Sequence, residues 1–440
     1  MFLVFILMFY KNKSMISMIY SMVCFLLMMY MMIFLDNYFS VFIINNFFYF
    51  NQYSFMFILL SLLIISFMFM SLKNNESNWY QLILCFLSLL IMLILCFSSN
   101  YFIMYYFFFE ASMLPTMMLI INWGSKSMLR IEATLYMFMF TFITSLSMFY
   151  LIIYFIEFNM PMLFNLVESM VNLNNNCFVL LILGLLTKMP MYMFHFWLPK
   201  AHVWAPIYGS MVLAGIMLKM GGYGMIWMIF MSNDSLTTNN ILINIILIFS
   251  LIGGLMMSII CLYQIDMKSI VAYSSIVHMS MVISSMLTYS MTGIMGAQLM
   301  MIGHGIVSSG LFYLVNLNYE RTKSRLLIFN KGLMNYSPSL TLWWFLMSMS
   351  NISMPFSLNF LGEILMIYSL LKWSMILILI LIPMMIISSY YMVILFSTQH
   401  GWSNKNLLYF SPFKVKEYFL LFLHWFTANS TFLFIDKMIK

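Results

Sequence analysis

Four ionisable side chains stand inside otherwise apolar sequence: Glu110 in YFFFEASMLPT, Lys188 in GLLTKMPMYMF, Lys219 in AGIMLKMGGYG and Glu363 in FSLNFLGEILMI. Four histidines accompany them: His195 and His202 a few residues beyond Lys188, His278 in AYSSIVHMSMVISS and His304 in MIGHGIVSSGLFYL. Carboxylates, amines and imidazoles take up and release protons, and a neutral imidazole can accept a proton on one ring nitrogen while releasing one from the other. Alone, each of these residues reads as a snorkelling helix end, a static ion pair or a satisfied core histidine. Two acids, two lysines and four histidines on separate apolar segments of one chain read as a polar line that carries protons.

The stretch LTKMPMYMFHFWLPKAHVWAP, Leu186 to Pro206, adds geometry and also holds Lys200. On a continuous helix, Lys188, His195 and His202 would share a stripe within about 40°, each roughly 10 Å from the next. Proton exchange over such gaps needs intervening water. Pro190, Pro199 and Pro206 argue against a continuous helix, since each removes a backbone donor and clashes with the preceding turn. A broken helix at membrane depth is tolerated where it is buried in protein or lines a wet cavity, so the stretch is expected to wall a hydrated proton path. A second Met-Pro step, SMPFSLNFLGE around Pro355, is followed by a similar aromatic-rich segment. Paired interrupted helices in two halves are the sequence sign of an inverted-repeat transporter. The likeness between the two segments is slight, and Lys188 and Glu363 sit at different offsets from their prolines.

The elements that must position these groups are membrane helices. Of 440 residues, 64% are hydrophobic and 7% charged, where a soluble domain carries roughly a quarter charged residues. Apolar runs long enough to cross a bilayer recur from Met15 to Leu35, Phe55 to Leu72, Leu82 to Phe97 and onward, about fourteen in all. No alternating ten-residue pattern suggests a barrel. The expected fold class is all-α, a polytopic membrane helical bundle with broken helices. Loops such as Lys73 to Asn78 and Ser232 to Asn240 are too short to hold a soluble domain. Residues 1–440 are therefore read as one membrane domain, with N-terminal helices over 1–80, a core over 81–400 and a C-terminal helix in 401–440.

Composition also narrows the function classes. The chain has 53 Met, 45 Phe and 27 Tyr but 17 Gly and 9 Pro, which favours an AT-rich organellar gene whose code also reads AUA as methionine. That bias explains the methionines better than a soft-metal site does. The N-terminal MFLVFILMFYKNKS reads as membrane span and lacks the Arg-rich character of a transit peptide. Cys24, Cys85, Cys96, Cys177 and Cys261 are scattered without metal-ligand spacing, and GGYG and GHGIVSSG match no nucleotide fingerprint. No metal and no redox cofactor is expected in this chain. The net charge of +7 lies on loop residues such as Lys11, Lys126, Lys331 and Lys437, which marks span ends against membrane lipid and not nucleic-acid binding.

With these residues in view, a family resemblance emerges. KMPMYMFHFWLPKAHVWAPIYGSMVLAGIMLKMGGYG (Lys188 to Gly224), FEASMLPT, DMKSIVAYSSIVHM, IGHGIVSSGLFYLVN and YERTKSR resemble the antiporter-like membrane-arm subunits of mitochondrial NADH:ubiquinone oxidoreductase, respiratory complex I. The resemblance covers about residues 80 to 400. It implies a proton-pumping subunit of the mitochondrial inner membrane with about fourteen helices and two inverted five-helix repeats, each holding a broken helix. Glu110 would be the acid of the fifth helix, Lys188 its partner on the broken seventh, Lys219 the central lysine of the eighth and Glu363 the terminal acid of the broken twelfth. His195, His202, His278 and His304 would line the axis between them. FMN, iron-sulfur clusters and ubiquinone would belong to partner subunits, and neighbouring antiporter-like subunits would flank this one. Two positions depart from the family pattern: Trp204 replaces an acid and Lys323 a histidine. The role of a carboxylate at 204 is thereby lost, and the Trp204 indole is expected at the membrane boundary or a subunit contact.

The chemistry of a switch follows. A carboxylate beside a buried lysine favours its charged form, so movement of Glu110 toward or away from Lys188 would hold or release a proton, which histidines and water would pass to Lys219 and Glu363. Moving one charge against about 100 mV costs roughly 2.3 kcal/mol, within reach of coupling between buried charges. A stand-alone sodium/proton antiporter with the same motifs is the nearest rival within transport. A structural scaffold with static ion pairs is the rival from another class.

Overall fold

With little water to satisfy exposed backbone, a segment crossing a bilayer must close its own hydrogen bonds, and nearly all regular structure among the described residues is helical. The computed structural model describes residues 13–37, 42–44, 47–74, 76, 78–125, 127–157, 163–164, 175–231, 241–402 and 412–431. The expected loop from Ser232 to Asn240 and the basic residues Lys11, Lys126 and Lys437 lie outside the described residues.

The first helices are α1 (Lys13–Asn37), α2 (Gln52–Ser71), α3 (Trp79–Ser98), α4 (Phe102–Ala111), α5 (Met113–Trp123) and α6 (Leu129–Glu157). A short antiparallel ribbon, Phe42–Ile44 against Phe48–Phe50 with Phe42 opposite Phe50, joins α1 to α2. It is the one departure from an all-helical chain among the described residues, in a run of Phe, Ile and Tyr whose types favour strands. The middle of the chain holds α7 (Asn175–Lys188), α8 (Trp197–Trp204), α9 (Ile207–Val212), a π-helical turn (Leu213–Met217), α10 (Leu218–Met231) and α11 (Ile241–Leu262). Then follow α12 (Met267–Met286), α13 (Met291–Thr322), α14 (Pro338–Asn351), α15 (Leu358–Trp373), α16 (Ile378–Ser397) and α17 (Val415–Ser430).

Ten of the described helices are long and apolar enough to cross a membrane, where the sequence suggested about fourteen spans. Part of the shortfall has a physical cause at the breaks: α7, α8, α14 and α15 are cut to 14, 8, 14 and 16 residues, below the ~20 that cross a hydrocarbon core, and α17 has only 16. Counted along the described residues with the interrupted α7–α8 taken as a further span, Glu110 lies on the fourth span, Lys188 on the sixth and Lys219 on the seventh. Each is one short of the ordinal the resemblance implied, so their order is kept.

Burial sorts the helices into an inner and an outer set. The Ile207–Met231 and Met291–Thr322 spans are buried along their length, and Met267–Met286 and Gln52–Ser71 nearly so. α1, α6 and α16 bury about a third of theirs and turn Met, Phe, Leu and Ile outward, as a lipid-facing ring does. The inner helices approach closely because glycines line their contacts. A Cβ added at Gly362 of α15 would lie 2.9 Å from the Met300 amide nitrogen of α13, and one at Gly221 of α10 would meet Met189 at 2.9 Å. Lys219, His278 and His304 ride on this inner set.

Candidate functional site

Both expected helix breaks are present. α7 ends at Lys188, the chain turns through Met189 to Phe196 with Met193 in the left-handed region (φ 74°), and α8 resumes at Trp197. Pro190 sits just past the last helical residue, where it cannot continue the ladder. The gap is bridged by Trp197, whose indole N–H donates to the Thr187 carbonyl at 2.9 Å. The Thr187 hydroxyl lies 2.8 Å from that of Thr144 on α6. The second break runs from Ile352 to Ser357 between α14 and α15, with Ser353 (φ 62°) and Phe356 (φ 72°) left-handed. Lys188, His195 and His202 therefore share no continuous helix, as the prolines require.

Glu110 and Lys188 come together. Lys188 Nζ lies 3.6 Å from Glu110 Oε1, donates to the Phe109 carbonyl at 2.8 Å and stands over the Phe109 ring. The lysine is buried, whereas the Glu110 side chain keeps about a fifth of its surface exposed. Pro115 has no N–H for the Ala111 carbonyl, and the helix is interrupted at Ser112, two residues beyond Glu110.

Lys219, His304, His278 and Glu363 form a second, longer cluster. Lys219 follows the π-helical turn, and its Nζ donates to the Ala214 carbonyl five residues back at 2.5 Å. The same nitrogen is 3.2 Å from His304 Nδ1. An ammonium only donates, so with Lys219 charged His304 accepts at Nδ1 and carries its proton on Nε2. The His304 and His278 rings have centroids 5.4 Å apart, and His278 Nδ1 lies 3.6 Å from Glu363 Oε1. Glu363 is in close contact with the Ser353 hydroxyl at the break. Four helices, α10, α12, α13 and α15, and a break thus align amine, two imidazoles, carboxylate and hydroxyl, all buried except the partly buried Ser353.

His195 and His202 join neither cluster directly. His195 stacks on Tyr192 and Phe196, and its Nδ1 has no hydrogen-bond partner. The fully buried His202 ring lies flat on Phe312 of α13 at 4.6 Å, with both nitrogens unpartnered. Lys200 points away from this interior, pairing with Glu132 at 3.5 Å on α6. Trp204, partly buried, closes α8 with its ring 5.9 Å from the Arg325 guanidinium.

The sequence reading passed over Lys268 and Ser353. Lys268 is buried at the start of α12 and donates to the Ala205 carbonyl at 2.9 Å. A signal was available: a lysine at the mouth of an apolar helix, in DMKSIVAY, must find an acceptor, and a proline-terminated helix offers carbonyls. Ser353 carried no signal, because its contact with Glu363 depends on how the break folds back.

With the geometry in place, comparison with known proteins gives the lineage. Residues 98–388 match the family model described as NADH:quinone oxidoreductase/Mrp antiporter, TM. Chain 4 of NADH-ubiquinone oxidoreductase from Ceratitis capitata is 41% identical over 391 residues, covering 88% of this chain and 86% of the relative. The chain 4 protein of Locusta migratoria is 41% identical over 425 residues, covering 92% and 91%. Among solved structures, a chain of respiratory complex I from Thermus thermophilus with bound NADH superposes with a TM-score of 0.80 at 18% identity, covering 99% of this chain and 95% of that one. A chain of the archaeal membrane-bound sulfane sulfur reductase does so with 0.86 at 15%, covering 100% and 93%. At those identities the structures speak for the fold alone.

Proposed function

We propose, starting from the fact that this chain belongs to the NADH:quinone oxidoreductase/Mrp antiporter membrane family alongside the chain 4 subunits of NADH-ubiquinone oxidoreductase, that it is the proton-translocating element of a respiratory complex I. It works as a multi-pass protein of the mitochondrial inner membrane, bound to other complex I subunits that include antiporter-like neighbours. NADH oxidation and ubiquinone reduction take place in those partners, which hold the FMN and iron-sulfur clusters, and drive proton movement through this chain. Its architecture, in this reading, is a single domain of about fourteen helices built on two inverted five-helix repeats. The two breaks, one near Lys188 and one near Glu363, support that symmetry.

The proton route has two parts. Glu110 and Lys188 form the switch: with the carboxylate near, Lys188 keeps its proton, and as Glu110 withdraws the amine releases it toward Lys219 by way of His195, His202 and water. Direct contact is absent along that first leg, so water must bridge it. The second leg is shorter. Lys219 gives a proton to His304 Nδ1, His304 releases its own from Nε2 toward His278, and Glu363 receives the proton that leaves His278. Lys219 ends neutral and Glu363 protonated, and the imidazoles return to their starting state once their tautomers reset.

The observation that carries this reading is the buried succession Lys219, His304, His278, Glu363, reaching Ser353 at the break. A scaffold needs no such series, because static charges pair one to one. Glu363→Gln keeps shape and polarity and removes the terminal acceptor. The assembled complex bearing it is expected to lose NADH-driven proton translocation at least tenfold, on the scale of losing one acid–base group. Unchanged translocation by an assembled Glu363→Gln complex would overturn the assignment of Glu363. Loss of assembly in place of loss of pumping, in this and in Lys219→Met, would favour the scaffold.

A further inference from the structure

The half-helix α8 carries His202 and ends in a way that its own sequence cannot satisfy. Pro206 has no N–H, so the ladder stops at the bond from the Ala205 amide to Ala201. The missing N–H takes the helical donor from the His202 carbonyl, and the three carbonyls after it lie past the ladder at a partly buried end of the helix, where an unpaired acceptor is costly. Three donors from elsewhere in the chain take those last three in turn. Arg325 Nη1 donates to Val203 O at 2.5 Å, the Ser125 amide to Trp204 O at 3.3 Å, and Lys268 Nζ to Ala205 O at 2.9 Å. Two of the three are cations, and they meet the negative end of the helix dipole.

From this we infer that Lys268 and Arg325 are positioning residues of the proton path: together they clamp the C-terminal end of the broken half-helix and so fix where the His202 ring stands. The inference rests on the function proposed above, since it gives His202 a place in proton movement. α8 spans only eight residues, so a shift at its last carbonyls is felt at His202, two residues before Trp204. The other anchors of α8 act at its start and outer face: Trp197 bonds across the break and Lys200 pairs with Glu132 on α6. At the other end, Lys268 and Arg325 act with the Ser125 amide to hold the carbonyls that follow His202, while the His202 ring rests on Phe312. Lys268 also lies on α12, the helix of His278, so one element holds both the clamp and a member of the Lys219 cluster. A movement of α12 relative to α8 would shift His202 and His278 against each other, which ties the first leg of the route to the second. The hydrogen bond that Lys268 makes goes to the Ala205 carbonyl and to none of the proton-carrying groups.

The test uses the assembled complex in sealed inner-membrane vesicles, reading NADH-driven proton uptake per assembled complex. Lys268→Met removes the donor and keeps the stem, and uptake is expected to fall about tenfold, as a small misplacement does. Lys268→Arg keeps charge and donor and is expected to restore at least half of it. If Lys268 were itself a proton carrier, Lys268→Arg would abolish uptake, because a guanidinium does not release its proton, and that result would overturn the inference. The decisive reading is the pair Lys268→Met and His202→Ala. If the clamp acts through His202, the double variant loses no more than His202→Ala alone; independent, multiplying losses contradict it. Should Lys268→Met fail to assemble, Lys268→Gln retains a neutral donor and takes its place in the same cycle. Loss in His202→Ala and Lys219→Met with normal uptake in Lys268→Met would remove the clamp and leave the proposed function standing. Normal uptake in all three would remove both.

Discussion

Gly362→Ala is a one-methyl perturbation of the place where α15 crosses α13. The added Cβ would stand 2.9 Å from the Met300 amide nitrogen and 3.1 Å from the Gly296 carbonyl oxygen, where non-bonded carbon contacts settle at about 3.5 Å or more. Both obstacles are backbone atoms of α13, so no side chain can rotate away. The helices must part by roughly 0.5 Å, at an overpacking cost of about 1 to 3 kcal/mol. Glu363 is the next residue, and its Oε1 already lies 3.6 Å from His278 Nδ1, at the outer edge of a useful contact. Widening that gap should slow transfer at the last step by about tenfold, while a cost of this size leaves most of the complex assembled. The assay is proton uptake by vesicles driven by NADH, divided by the amount of assembled complex measured on native gels. Full uptake per assembled complex in Gly362→Ala would refute the claim that the α13–α15 contact sets the working distance of Glu363.

Glu110→Gln, which removes the charge 3.6 Å from Lys188, should slow NADH-driven turnover by at least tenfold with assembly largely kept, the scale of one acid–base group; Glu110→Asp should retain part of the rate. Equal assembly loss in both variants, with normal turnover in whatever assembles, would point to a static bridge. Arg321→Met leaves Glu417 without the partner that meets it at 2.5 Å. Glu417 keeps the bond from the Lys414 amide at 3.0 Å, so the docking of α17 should lose about 1 to 3 kcal/mol, seen as a lower melting temperature and yield, with proton uptake per assembled complex unchanged.

Much of this was legible in the residues. Membrane class follows from apolar content, and the breaks near Pro190 and Pro355 from the missing donors of proline. The pairing of Glu110 with Lys188 follows from the cost of an isolated charge, and the two stand together across α4 and α7. What the sequence could not supply were contacts that depend on how helices cross. Nothing in the spacing of His278, His304 and Glu363 says that they align with Lys219, since that rests on glycines letting α15 approach α13. His195 and His202 looked, by their spacing of seven, like the bridge from Lys188 to Lys219. The turn from Met189 to Phe196 breaks that spacing and leaves both rings packed on aromatics. For Lys268 and Arg325 the sequence could at most signal a need for acceptors and not say which, because their partners are main-chain carbonyls, which every residue has.

If a proton passes through Lys219 on its way to Glu363, the number of protons moved per NADH oxidised by assembled complex bearing Lys219→Met must fall. Methionine keeps the length of the stem inside the fully buried site and removes only the titratable group. The account predicts an assembled complex whose proton movement falls at least tenfold, on the scale of a lost acid–base group, with NADH oxidation slowed alongside it. An assembled Lys219→Met complex that moves the normal number of protons at the normal rate would contradict it.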